Sequence, residues 1–504
     1  MKQKDLSLNP DRVAIFLKKE ASQFTREDII KFIKENEIRM LNFNYVAGDG
    51  RLKTLSFAIR NEMHLRQLLD WGERVDGSSL FSYIDTAHSD VYVIPRFKTA
   101  FLNPFSPIPT LNMLCSYFDE NGNELDISPE YIVHKAQKVL QKRTGISLYA
   151  FGELEYYAIL KNQEEALFPG IPQKNYHESK PFVKCEDMNN EILFALSSIG
   201  ARVKYGHSEV GSISFEDGFR FEQYEIELDL EPIEDMADHL VIAKWLIRNI
   251  AARYGIEITF APKISVGHAG SGLHIHFAAY KEGKNILLDK NFELSQTARK
   301  IIGGILKLAP SLTAFGNTNP TSYLRLVPDQ EAPTNICWGD RNRSGLIRVP
   351  LGWRNISNLS SLVNRGVRTY TPCDDKQTIE LRSPDGSANV YLLLAGMAVA
   401  AKYGLLNIES LKLAEECYID VNIFKREHKK ILQRLAQLPR SCFESAESLK
   451  SQAEIYEQDK IFSKRVIAGI EQQLKVFEDK NLNERLKKNR KKAQTYIKDF
   501  LHWG

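Results

Sequence analysis

Phe221-Glu222-Gln223-Tyr224-Glu225-Ile226-Glu227-Leu228-Asp229-Leu230 is the stretch on which the fold turns. Side chains two apart on a strand share a face. Glu225, Glu227 and Asp229 therefore project together, with Ile226, Leu228 and Leu230 on the opposite side. Gly152-Glu153-Leu154-Glu155-Tyr156-Tyr157 repeats the pattern, pairing Glu153 with Glu155. The chain alternates strands with helices, which on its own would suit a doubly wound parallel sheet. A sheet buried on both faces does not tolerate rows of acids, and this counts against the parallel arrangement.

Upstream, Thr25-Arg26-Glu27-Asp28 predicts the capped start of a helix through IIKFIKENEI. LNFNYVAGDGRLKTLSFAI alternates on both sides of Gly48-Asp49-Gly50, a hairpin signal. A helix through His64–Trp71 and strands in DVYVIPRF and MLCSYFDENGNEL complete a small α+β unit. The pattern changes near Ser128, where SPEYIVHKAQKVLQKRTG reads as an amphipathic helix ending at Gly145. Two domains are expected, 1–127 and 128–504. Downstream come a long helix from about Ile233 to Tyr254, strands in IEITFAPKI, LHIHFAAY, LIRVPL and TIELRS, and a charged helical last hundred residues. The basic run Arg485 to Lys492 reads as a solvated helix face, because no aromatic platform accompanies it.

The 504 residues carry 67 Lys plus Arg against 64 Asp plus Glu, a net charge of +3. This gives no electrostatic reason to expect nucleic acid or a membrane as partner. No apolar run reaches the roughly 18–20 residues of a membrane helix, and the first residues lack the apolar core of a secretory signal. The six cysteines are scattered without a CxxC pair. Reduced thiols and a cytoplasmic location are expected.

His274 and His276 in Gly270-Ser271-Gly272-Leu273-His274-Ile275-His276, and Glu380 and Arg382 in TIELRSPD, make two further same-face pairs. Any one pair is most simply the wet side of a strand. Four together, converging on one concavity, would repel unless cations sat between them. Carboxylates with few imidazoles suit Mg²⁺ or Mn²⁺. Neither a Walker motif nor GxGxxG occurs, which removes both glycine-rich phosphate cradles. Arginines gather at Arg325, Arg341, Arg343, Arg348 and Arg382. Guanidinium forks grip carboxylates and phosphates. Metal ions with several arginines point to phosphoryl transfer, where catalysis is largely positioning and charge neutralisation.

From Asp76 to Leu393 the chain resembles the glutamine synthetases. The motifs that carry the resemblance are Asp76-Gly77-Ser78-Ser79, Gly152-Glu153-Leu154-Glu155, His207-Ser208-Glu209-Val210 and Phe260-Ala261-Pro262-Lys263 with Gly270–His276. Asn319–Arg325 with Glu331-Ala332-Pro333, Asn342-Arg343-Ser344 with Arg348, and Glu380–Asp385 continue it in order. The resemblance implies an α+β fold, with an N-terminal β-grasp domain before a catalytic domain of curved antiparallel strands and outer helices. It implies ATP-dependent ligation of ammonia to L-glutamate through a γ-glutamyl phosphate, with two or more Mg²⁺ or Mn²⁺ ions per site. Glu155, Glu209 and Glu225 would hold one ion; Glu153, His274 and Glu380 would hold the ion bridging the nucleotide phosphates. His207, His276 and Arg348 would serve ATP, and Arg325, Arg382 and the Gly270 backbone would serve glutamate. Arg343 would steady the transferring phosphoryl group, Glu331 would close a flap, and Asp76, from a neighbouring protomer, would take the proton of ammonium. The site would lie between subunits of a closed homo-oligomeric ring, a dodecamer among the forms considered.

Three departures from the family pattern bear on the substrate. Thr378 stands where an arginine is usual, with Lys376 nearby as a substitute; Ala269 stands where asparagine is usual; and a long loop is expected from Gly211 to Gln223. They keep open a γ-glutamyl-amine ligase using another amine, and a non-catalytic relative.

Overall fold

Strand Met40–Val46 (β1) buries six of its residues, whereas Leu52–Ala58 (β2) alternates between half-buried and exposed, as an edge strand does. The computed structural model describes residues 8–161, 167–215, 218–327, 332–352, 359–366, 376–487 and 490–503. β1 and β2 pair antiparallel across the expected turn, from Met40 opposite Ala58 to Val46 opposite Leu52. Glu73–Asp76 (β3), Asp90–Pro95 (β4), Phe101–Leu102 (β5) and Thr110–Phe118 (β6) complete a six-stranded sheet of order β2-β1-β6-β4-β3, with β5 beside β6. β1 and β6 run parallel and the other pairs antiparallel. The helix Arg26–Glu35 starts at the predicted capping box, in which Thr25 and Asp28 satisfy each other's backbone N–H groups.

The second sheet has ten strands. They are Ser147–Lys161 (β7), Val203–Ser214 (β8), Phe219–Leu228 (β9), Glu231–Pro232 (β10), Glu257–Thr259 (β11), Leu273–Lys281 (β12), Lys284–Asn285 (β13), Trp338–Asp340 (β14), Ile347–Val349 (β15) and Ile379–Leu381 (β16). The order is β14-β15-β16-β12-β7-β9-β8, with β10 and β11 on β7 and β13 on β12. Only the β14–β15 pair among these is parallel. The antiparallel reading of the acidic strands therefore holds, and the fold is the expected α+β arrangement.

Two local expectations need correction. Of the expected loop Gly211 to Gln223, Gly211–Ser214 and Phe219–Gln223 are strand, the outer part of the β8–β9 hairpin, whose ladder runs as far as Ser214 opposite Arg220; residues 216–217 lie outside the described residues. Asp229 leaves the acidic row because β9 ends at Leu228; its carboxylate meets Arg202 at 2.9 Å instead.

Helices cover the far side of this sheet. Ile233–Arg253 begins with Glu234 and Asp235 in its first turn and is tied to the β-grasp half by ion pairs. Arg96 meets both oxygens of Asp238 at 2.7 Å, Tyr391 donates to the same carboxylate at 2.6 Å, and Lys98 meets Asp235 at 2.6 Å. Val390–Leu406 is buried on all sides as far as Lys402, its one charge, which meets Asp459 at 2.8 Å. It packs on Pro129–Thr144 and Gln296–Gly316. The second contact brings backbones together: a Cβ at Gly304 would lie 2.1 Å from the Ala400 carbonyl, and one at Gly404 2.2 Å from that of Lys300. Among the described residues no single helix is long and apolar enough to cross a membrane. Cys115, Cys185, Cys337, Cys417 and Cys442 are free thiols; Cys373 lies outside the described residues. The C-terminal helices Leu482–Lys487 and Arg490–Lys498 turn Leu486, Ala493 and Ile497 inward onto Leu324, leaving lysines such as Lys491 and Lys492 exposed.

Candidate active site

Register places the polar residues of the second sheet in rows. One row runs His207–Glu225–Glu155 across β8, β9 and β7; the next runs Tyr205–Glu227–Glu153–His274 across β8, β9, β7 and β12. A third runs His276–Glu380–Arg348 across β12, β16 and β15. On the other face Leu154, Tyr156, Ile226, Leu228, Leu273 and Ile275 are buried in the main core. The same period-two pattern thus anchors the sheet and presents its acids.

These rows floor a cavity of about 670 Å³. Glu153, Glu155, Glu209, Glu225, His274 and Glu380 all line it, with His207, Gly270, Arg325, Arg343, Arg348 and Arg382. Thus the structure gathers most of the residues singled out from sequence. Asp76 is not among them: it is exposed at the end of β3, where Ser78 and Ser79 hydroxyls donate to it at 2.7 Å. Those hydrogen bonds hold its carboxyl well below the usual range. Glu331 lies outside the described residues.

Among the described residues, nitrogen and oxygen donors come close in three groups. Ligand-type atoms of Glu153, His276 and Glu380 lie within 4.8 Å of one another, as do those of Glu153, Glu225 and His274, and those of His207, Glu209 and Glu225. The grouping differs from the expected one in detail. His207 stands against Glu225 at 3.1 Å, and His276 stands behind the wall, stacked on Phe151 and 2.8 Å from Glu153. The Thr378 hydroxyl meets His276 Nδ1 at 3.0 Å, while Lys376 is exposed and does not line the cavity. Glu380, buried, is approached by Arg348 and Arg382, each at 3.0 Å.

Charge is unevenly balanced here. Burial, then the carboxylates of Glu153, Glu155, Glu209 and Glu227, push the Glu225 carboxyl well above its ordinary range. Burial opposes ionisation of Glu153 too, yet His276 and His274 hold it well below. Burial likewise works against Glu380, and His276, Arg382 and His274 bring it down. A carboxyl raised by like-charged neighbours is one that a cation would relieve. Oxygen donors with few imidazoles fit Mg²⁺ or Mn²⁺.

Other residues of the site carry no role in the reading from sequence. Glu227 lines the cavity and is buried, neutralised by Lys204, whose ammonium also lies 4.8 Å from the Phe151 ring centre. Tyr176 and Tyr205 flank His207 with ring centres 5.5 and 5.9 Å away. Asn342 shapes the arginine segment by donating to the Val421 carbonyl at 2.9 Å. Glu209 reaches the cavity from a bulge: between Ser208 and Ser212 on β8 stand Glu209, Val210 and Gly211, opposite Gln223 alone on β9.

Family models match most of the chain. One described as "Glutamine synthetase, beta-Grasp domain" covers residues 37–120, and one described as "Glutamine synthetase, catalytic domain" covers 126–492. A glutamine synthetase of Thermus thermophilus is 30% identical over 455 residues, covering 86% of this chain and 91% of that protein. One of Thermotoga maritima is 30% identical over 432 residues, covering 84% and 90%. Among solved structures, a Plasmodium falciparum glutamine synthetase superposes with a TM-score of 0.73 at 20% identity, over 91% of this chain and 97% of the other. A ligand-free GmaS, a gamma-glutamylmethylamide synthetase, superposes with a TM-score of 0.69 at 19% identity, over 90% and 96%.

Proposed function

Since the chain belongs to the glutamine synthetase family, we propose that it ligates ammonia to the γ-carboxyl of L-glutamate, driven by ATP, through a γ-glutamyl phosphate. The observation that carries this reading is the convergence of acids, imidazoles and arginines on one cavity. Bound Mg²⁺ or Mn²⁺, two or more per site, would neutralise the charge of two anions brought together. Glu155, Glu209 and Glu225 would hold one ion; Glu153, His274 and Glu380, with His276 behind them, would hold the other. Arg325, Arg382 and the Gly270 backbone orient glutamate, and His207 and Arg348 orient ATP. Arg343 steadies the phosphoryl group in flight. Glu331 closes the site against water that would hydrolyse the acyl phosphate. A carboxylate must take the proton of ammonium before nitrogen can attack.

We assign that proton to Asp76 of a neighbouring protomer, because within one chain it stands outside the cavity lining. A head-to-tail contact of this kind gives a ring when its rotation closes; we read the enzyme as such a homo-oligomeric ring, working in the cytoplasm. Sedimentation of the active protein is expected to show a large closed assembly; full activity in a monomer would remove Asp76 from the mechanism.

A second reading, ligation of a larger amine, is favoured by Ala269 and the extended β8–β9 hairpin beside the cavity. Phosphate release from ATP and glutamate with a panel of amines separates the two. Ammonia is expected to give the highest kcat/KM; a methylated or longer amine surpassing it by about tenfold, some 1.4 kcal/mol in transition-state binding, would establish the second reading.

A further inference from the structure

Gln223 is 1% exposed and lies opposite the β8 bulge. Its Oε1 accepts from Gly211 N at 3.0 Å, and its Nε2 donates to Glu155 Oε2 at 2.9 Å and to the Gly270 carbonyl at 3.0 Å. The amide has one correct orientation: turned over, its oxygen would face a carboxylate and a carbonyl, and its NH₂ would face an N–H. Glu155 Oε2 also accepts from Gly272 N at 2.7 Å. Gly211 is required for this contact, since a Cβ there would lie 2.0 Å from the Tyr157 hydroxyl and 2.5 Å from Gln223 Oε1. The same Tyr157 hydroxyl donates to the Ala269 carbonyl at 3.0 Å.

One side chain therefore joins three parts of the cavity: the bulge that carries Glu209, the Glu155 carboxylate, and the backbone at Gly270. Moving any one of them strains two hydrogen bonds to the others. We propose that Gln223 is a positioning residue that couples divalent-cation binding at Glu155 and Glu209 to binding of the amino-acid substrate at Gly270. This rests on the assignment of those residues in the proposed function. Each ligand orders the segment that the other needs, so the two bind cooperatively, and linkage makes the effect reciprocal.

The test is Mn²⁺ titration of the full-length protein, followed by the loss of the aqueous Mn²⁺ resonance, with and without saturating L-glutamate. In the wild type, glutamate is expected to tighten Mn²⁺ binding about tenfold, within the usual range for coupled sites. Gln223→Met keeps the volume but makes none of the three hydrogen bonds, and is expected to bind both ligands with that factor reduced to about twofold or less. Gln223→Glu keeps the acceptor for Gly211 and loses both donors; it is expected to lose the coupling as well, and it serves should the methionine variant misfold. A folded variant that retains the wild-type factor overturns the proposal, as does a wild type without one. A wild type that binds neither Mn²⁺ nor glutamate overturns the proposed function itself, a result distinct from binding without coupling.

Discussion

Glu380→Gln lowers turnover by about 10²-fold or more, the scale on which losing a preorganised charge in an active site acts, while the chain still folds. Glutamine fills the same space and keeps an acceptor for one of Arg348 and Arg382, each 3.0 Å from the carboxylate. What it removes is the negative charge placed between those guanidiniums and the imidazole of His274, 3.6 Å away. In the proposed reaction that charge holds a cation against the nucleotide phosphates. Steady-state phosphate release, read beside circular dichroism, checks the claim. Near-normal turnover in a folded variant would reduce this row to the lining of a wet surface.

Arg96→Met is expected to cost about 3–5 kcal/mol of stability, the usual penalty for stranding one member of a buried pair. The Asp238 side chain is 3% exposed and takes both arms of the guanidinium at 2.7 Å. Burial opposes its ionisation, and Arg96 is the first of the charges that hold its carboxyl below the usual range. Without Arg96 the carboxylate keeps Tyr391 and the charges of Lys98 and His239, at the seam between the β-grasp half and the catalytic sheet. Chemical denaturation of the assembled protein measures the loss. The double variant Arg96→Met/Asp238→Leu should recover much of it, because no orphaned charge remains.

The acidic rows were legible because a two-residue period survives in one dimension: Glu153, Glu155, Glu225 and Glu227 had to share faces wherever their strands lay. Which strand lay beside which was not legible, since register is set by packing between distant segments. The resemblance of ordered motifs supplied that architecture, and the pairing of His274 with Glu153 across β12 and β7 fits it. Gln223 escaped notice because its hydrogen bonds reach residues 12, 47 and 68 positions away. Reading Gly211 to Gln223 as loop hid it further. Asp229 misled for the opposite reason: the alternation in sequence continues one step past the point where β9 ends. Thr378 departs from the family pattern in sequence, and the fold sets its hydroxyl against the His276 ring.

The helix Val390–Leu406 has a bearing on how the protein is made. It has no polar face, and it leaves the ribosome only after the helices Pro129–Thr144 and Gln296–Gly316 on which it packs. Pro129–Thr144 must wait with its apolar side uncovered through the synthesis of the whole catalytic sheet, and Gln296–Gly316 through that of β14, β15 and β16. Asp459, which neutralises its only lysine, arrives later still. A chain arranged in this way cannot finish its core piecemeal, and its half-made forms are natural clients for chaperones that shield apolar surface.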